Sequence, residues 1–336
     1  MERSTMPEVT PAYGARSDYD PLRMAVVGIV DDLTLPPYNP TLHHYNDEVR
    51  EALIAADGKP SSIKAAMPER YERTAEQLDS LAALYENNGV KVLRPRPYSE
   101  EEKRYLDNLQ PGTSLLYPAD PVITIGKHFI ELNIRRAYRR KEVFALRDAV
   151  LPLIAADREA RHVAMPAAQP FAPSSGGPGP YLEGGDIVRF GTHLYVGESD
   201  IASNRAGTDW LARYVEPFGY QVHPVPMKGR VLHLLGVACL LREGLLMLYR
   251  PELVEGTLPG PLGDWEVIEL TEQEARAFAT VGVSLDDKRY VMPAGLNRIA
   301  DELDRHGIEP IQITFDQVGY WGGSVSCSTH ALSRAP

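Results

Sequence analysis

Two cysteines occur in the 336 residues, Cys239 and Cys327, and their settings differ. Cys327 closes the run Gly322-Gly323-Ser324-Val325-Ser326-Cys327, behind the aromatic pair Tyr320-Trp321. Glycines let a backbone approach a ligand closely and adopt positive φ. A cysteine just past such a turn stands at a cleft mouth, where its thiolate is a capable nucleophile. The alternative is a small buried hydrophobe, the usual state of a free cysteine. Cys239, inside Gly236-Val237-Ala238-Cys239-Leu240-Leu241, fits that second description.

A nucleophilic thiol needs a group that moves protons. Of nine histidines, His233 lies in the apolar run Val231-Leu232-His233-Leu234-Leu235, read as a strand. An imidazole buried there costs free energy unless it is paired, so it is either a satisfied core histidine or a catalytic one. Glu183 and Asp186 bracket two glycines in Tyr181-Leu182-Glu183-Gly184-Gly185-Asp186. Two carboxylates across a tight turn can orient a histidine or hold a cation through charge-assisted hydrogen bonds. Asp186, at the start of a strand, reads as the structural member. No histidine and cysteine fall at zinc-ligand spacing, so neither a metal nor a cofactor is expected.

The elements that must position these residues follow one grammar. Strands at 121–125 and 128–132 precede a helix at 141–154 and a strand at 161–165. The order returns at 186–190, 194–197, 206–215 and 220–225, and again at 281–285, 289–292, 296–305 and 311–315. Residues 231–241 and 245–249 form a further strand pair, followed by a strand at 265–270. Before them, a strand from Met24 leads to an irregular, proline-bearing stretch at 31–68, of a length that suits a lid. An amphipathic helix carrying Tyr71, Ala75, Leu78, Ala82 and Tyr85 follows, stopped by Gly89. Units of about 40–70 residues, each too small to bury its own face, imply stacking about a shared axis. The expected fold is therefore α/β, a five-bladed pseudo-symmetric propeller of repeated ββαβ units. A doubly wound sheet is the alternative, weakened by the absence of a Gly-x-Gly-x-x-Gly turn. Residues 1–20 read as a flexible tail and 21–336 as a single catalytic domain.

A net charge of −11 gives no electrostatic footprint for nucleic acid or an anionic membrane. Two cysteines make no disulfide framework, and a reduced, cytoplasmic setting is expected. The start, Met1-Glu2-Arg3-Ser4-Thr5-Met6-Pro7, has no apolar run behind it and does not read as a signal peptide. The most apolar stretch, 231–249, is interrupted by His233 and Arg242-Glu243, which suits buried strands better than a membrane span.

Leu182-Glu183-Gly184-Gly185-Asp186, then His233, then Gly322-Gly323-x-x-x-Cys327, taken in order, resemble the guanidino-group-modifying enzymes, or penteins. That family includes arginine:glycine amidinotransferase, arginine deiminase and dimethylarginine dimethylaminohydrolase. Ser17-Asp18-Tyr19-Asp20-Pro21-Leu22, Gly89-Val90-Lys91-Val92-Leu93-Arg94-Pro95 and Ala119-Asp120-Pro121-Val122 resemble the amidinotransferase branch. The resemblance implies a propeller of five ββαβ units around a central site. It implies that Cys327 attacks the guanidinium carbon and that His233 serves as general acid and base. Glu183 would orient His233, and Asp120 would hold the guanidinium. Among substrate-facing positions it also places Asp186, Leu235 and Gly323. Arg135 and Arg250 are candidates for a substrate carboxylate, though neither aligns cleanly. Amidinotransferases usually carry a second aspartate two residues after the histidine, where this chain has Leu235. The implied partners are a small-molecule guanidine and an amine acceptor, with a homodimer as one assembly. Amidino transfer is the expected reaction; hydrolysis of an N-substituted arginine is the alternative, and a non-enzymatic binding protein of this fold the third reading.

Overall fold

Five three-stranded sheets share one plan, in which a central strand pairs antiparallel with one neighbour, through a hairpin in four of them, and parallel with a strand that returns after a crossover. The computed structural model describes residues 12–36, 47–55, 59, 61–107, 112–169 and 177–335. Parallel neighbours need a long connection, and a helix supplies it in most of these units. Val122–Ile125 and His128–Glu131 are followed by helix Val143–Ala156 and strand Arg161–Ala164. Ile187–Phe190 and His193–Glu198 are followed by helix Arg205–Val215 and strand Gln221–Pro226. Val283–Asp286 and Arg289–Pro293 are followed by helix Asn297–Arg305 and strand Glu309–Ile313. In the unit of Ala238–Arg242, Leu245–Leu248 and Glu266–Glu269 the crossover is made by the 3₁₀ turns Arg250–Glu252 and Gly260–Asp264. Gly191 and Gly244 take positive φ at hairpin tips, the geometry a tight hairpin requires.

The remaining sheet of this plan joins the two ends of the chain. Thr329–Arg334 pairs antiparallel with Leu22–Val27, which runs parallel to Lys91–Leu93. Helix Pro68–Asn87 bridges those last two strands and buries Leu78, Leu81, Ala82 and Tyr85 at helical spacing. The Tyr85 hydroxyl lies 2.9 Å from Thr329 Oγ1, tying the helix to the strand behind Cys327. A sixth sheet, Ser61–Ser62, Ile29–Leu35 and Thr113–Leu115, is antiparallel. No helix among the described residues is long and apolar enough to cross a membrane.

Three sequence expectations differ from the structure. Residues 31–68 are not irregular throughout: Ile29–Leu35 is a strand and Asp47–Ala55 a helix, while 37–46 lie outside the described residues. Of the expected tail, 1–11 lie outside the described residues, but Tyr13 is buried and Gly14 and Ala15 bond to Leu332 and Gly126. The run 231–241 is not one strand, because only Ala238–Arg242 pairs in a sheet. Buried carboxylates take the place of a neighbouring strand there. Glu252 accepts the N–H groups of Arg230 and Val231, and Asp186 accepts that of Leu234. His233 therefore sits on a loop just before the 3₁₀ turn Leu234–Gly236.

Candidate active site

The glycine pair of Glu183-Gly184-Gly185-Asp186 forms a 3₁₀ turn where three segments meet. A Cβ on Gly184 would collide with the Ala119 carbonyl oxygen. One on Gly185 would lie 2.8 Å from Cγ of His233 and 3.0 Å from Oδ1 of Asp120. Only glycine permits that approach, so the turn is the floor on which His233 and Asp120 are laid together. Gly184 also donates to the Asp120 carbonyl at 2.9 Å.

His233 Nε2 is 2.8 Å from Glu183 Oε2, and both residues are buried. Glu183 Oε1 accepts the backbone N–H of Arg135 at 3.0 Å. On the other edge of the ring, Nδ1 faces Asp120 Oδ1 at 3.7 Å. Asp120 Oδ2 accepts from Arg139 at 2.9 Å, whose guanidinium also engages both oxygens of Glu142. Oδ1 of Asp120 is buried without a hydrogen-bond partner among the described residues. Cys327 is half-buried, and its carbonyl accepts the N–H of Ala119, the residue before Asp120. A Cβ on Gly323 would lie 2.7 Å from the Tyr117 ring and 3.1 Å from Cys327 Cβ, so that glycine makes room beside the thiol.

The charges of these groups set one another. Burial alone would pull His233 down, but the charge of Asp120 and the hydrogen bond to Glu183 raise it to about 9. Burial pushes Glu183 up, and the hydrogen bond and charge of His233 overcome it and hold the carboxyl at about 2. The Cys327 thiol is pushed to about 12, first by burial and then by the negative charge of Asp120. These shifts favour a neutral thiol at Cys327 and, in the same cleft, an imidazolium at His233 ion-paired to Glu183.

Asp120, His233, Leu235, Gly323 and Cys327 all line one cleft of about 550 Å³. The other candidates from the sequence stand elsewhere. Asp186 does not line it: its two oxygens accept the backbone N–H groups of Leu234 and Ser203, and burial raises it to about 6. It positions the loops that carry the site rather than facing a substrate. Arg135 turns its guanidinium toward the Tyr181 ring, 5.1 Å from the centroid, and does not line the cleft. Arg250 is also outside it, held by Glu269 at 2.6 Å and by the Gly256 carbonyl. Arg230 and Arg276 line the cleft instead. Sequence reasoning missed Arg139, because nothing local marks it as the buried partner of Asp120. Among the described residues no group of three or more His, Cys, Asp or Glu is arranged to hold a metal ion.

No protein-family model matches the chain. It is 25% identical over 350 residues to inosamine-phosphate amidinotransferase 1 of Streptomyces griseus, covering 95% of this chain and 96% of that one. It is 30% identical over 151 residues to dimethylarginine dimethylaminohydrolase of Pseudomonas aeruginosa, covering 44% of this chain and 54% of that one. Among solved structures, the amidinotransferase of the saxitoxin biosynthetic pathway of Microseira wollei superposes with a TM-score of 0.77 at 22% identity, over 96% of this chain and 98% of that one. The fold is therefore that of the guanidino-group-modifying enzymes. Along nearly its whole length the chain is a relative of amidinotransferases, and along part of it a relative of a guanidine hydrolase.

Proposed function

We propose that the protein is an amidinotransferase acting on arginine or an arginine derivative. The observation that carries this reading is the convergence of Cys327, His233 and the free edge of Asp120 on one cleft. A guanidinium is a planar cation with N–H donors along its edges, and Oδ1 of Asp120 is an acceptor without a protein partner. A guanidinium held there adds positive charge beside the thiol and offsets that of Asp120, both of which favour the thiolate. The thiol proton is released to solvent as the substrate binds, and Sγ then bonds to the guanidinium carbon. His233 delivers its proton to the departing nitrogen as the carbon–nitrogen bond breaks, leaving an amidino thioether on Cys327. An incoming amine attacks that carbon, gives its proton to His233 and releases the thiolate. Glu183 keeps the imidazole oriented and compensates its charge throughout.

The second reading is hydrolysis, with water in place of the amine. Leu235 in the cleft wall favours it, because an apolar side chain accepts nothing from an unsubstituted N–H. Alternatively, the site would bind a guanidine without turnover. Five units of one plan, closed by pairing of the first and last strands, support a five-bladed pseudo-symmetric propeller within a single catalytic domain, and the setting we infer is cytoplasmic. Incubation with arginine and with an N-methylated arginine, each in the presence and absence of glycine or lysine, separates the reactions. Amine-dependent ornithine and a new guanidino product mean transfer, citrulline means hydrolysis, and neither means a binding protein.

A further inference from the structure

Two residues other than glycine have positive φ among the described residues, Asp32 at 59° and Phe278 at 64°. An aspartate visits that region readily, with its short polar side chain bonding locally, whereas a bulky aromatic does so only against strain. Residues held this way tend to mark functional sites. Phe278 lines the cleft and is half-buried, and its ring joins none of the core clusters that take in its neighbours Ala275 and Ala279. The strain therefore does not serve core packing.

The turn it makes is tied to the nucleophile's loop. Phe278 donates to Ala275, its carbonyl accepts from Val281, and the Val281 carbonyl accepts from Ser326, the residue before Cys327. Glycine would make the same turn without strain. What phenylalanine adds is a ring at the cleft, with Cε2 3.6 Å from where a Cβ on Gly319 would stand. Leu33, Leu35, Leu116, Val281 and Trp321 line the same cleft and give it apolar wall, alongside the charged Arg230, Glu252, Glu272 and Arg276.

We propose that Phe278 is a specificity residue and that the cleft selects guanidines whose body, beyond the reacting group, is apolar and bulky, an aromatic ring being the best fit. This rests on the cleft being a guanidine site, as proposed above. The probes are butylguanidine and 4-phenylbutylguanidine, which differ by one phenyl ring, titrated calorimetrically into the full chain carrying Cys327→Ser so that nothing turns over. The phenyl compound binds at least tenfold more tightly. Adding Phe278→Gly, or Phe278→Asn, which also tolerates positive φ, reduces that ratio to threefold or less without lowering the melting temperature. A ratio of threefold or less in the parent, or a ratio that survives both replacements, overturns the proposal. Turnover of arginine by the unsubstituted protein tests amidino transfer separately, so either reading can fail while the other stands.

Discussion

Asp120 Oδ1 faces His233 Nδ1 across 3.7 Å, too far for a hydrogen bond, while each residue is tightly held on its other side. Arg139 secures Oδ2 of the aspartate, and Glu183 secures Nε2 of the imidazole. The result is a pair of fixed groups, with Oδ1 of the aspartate left as a buried acceptor that no described residue fills. Under the proposed function, a guanidinium N–H accepted by that oxygen would bring the substrate alongside the imidazolium that protonates its leaving nitrogen.

The coupling of His233 to Glu183 is read by pH. The folded-state value of His233 is raised from 6.5 to about 9, so its contribution to stability is complete below about 6.5 and is lost as pH rises through about 9. Glu183 is lowered from 4.5 to about 2, so its contribution is present above about 4.5 and lost as pH falls through about 2. In Glu183→Gln the imidazole loses its charged partner. Its titration, followed by NMR, moves down from about 9. Activity falls by about 10²-fold or more, as expected for loss of a positioned acid–base group. A titration that stays in place contradicts the ion pair.

Arg139 gives a second test. Its removal leaves the buried carboxylates of Asp120 and Glu142 without their counter-charge. Breaking a buried pair from one side typically costs about 3–5 kcal/mol. Arg139→Ala is therefore strongly destabilised in denaturant titration. Arg139→Lys recovers part of that, since an ammonium keeps the charge but not the two-pronged geometry on Glu142. Equal stability of Arg139→Ala and the parent would mean that the cluster bears no charge worth compensating.

Much of this site was legible in the chain because its parts are local. The two glycines between Glu183 and Asp186, and the two preceding Cys327, announce backbone that must come close to something, and the structure shows what. The hairpin–helix–strand rhythm was equally readable, since each unit is built from short-range periodicity. The loop at 231–237 was not. Its sequence is that of a buried strand, and only Asp186 and Glu252, distant in sequence, take up its N–H groups and hold it as a loop. Arg139 was hidden for a similar reason: its partner lies 19 residues away across a fold contact. Arg135 and Arg250 were plausible as free cations until their partners were seen.

Leu235 bears on the choice of substrate. It lines the cleft near His233 and offers no acceptor. A guanidinium N–H directed at it loses water and gains nothing, a cost on the order of 1–3 kcal/mol. N-methylated arginines present carbon there and avoid it. The native protein is expected to have the higher kcat/KM on an N-substituted arginine, and Leu235→Asp to shift toward arginine. A native preference for arginine of tenfold or more would reduce Leu235 to a packing residue.

The two cysteines separate chemistry from packing. Cys239 is buried in a core cluster, and burial pushes its thiol to about 12. Cys239→Ala costs stability more than rate, by about 1 kcal/mol for a small buried group. Cys327→Ala loses turnover with little change in melting temperature. The reverse pattern would exchange their roles.

The central claim is a covalent amidino group on one sulfur. Rapid acid quench during turnover of arginine, followed by peptide mass spectrometry, shows an amidino adduct on the peptide carrying Cys327. That adduct disappears faster as an acceptor amine is added, and it is absent from Cys327→Ser. An adduct on Cys239, or steady turnover by the Cys327 variant, would contradict the account.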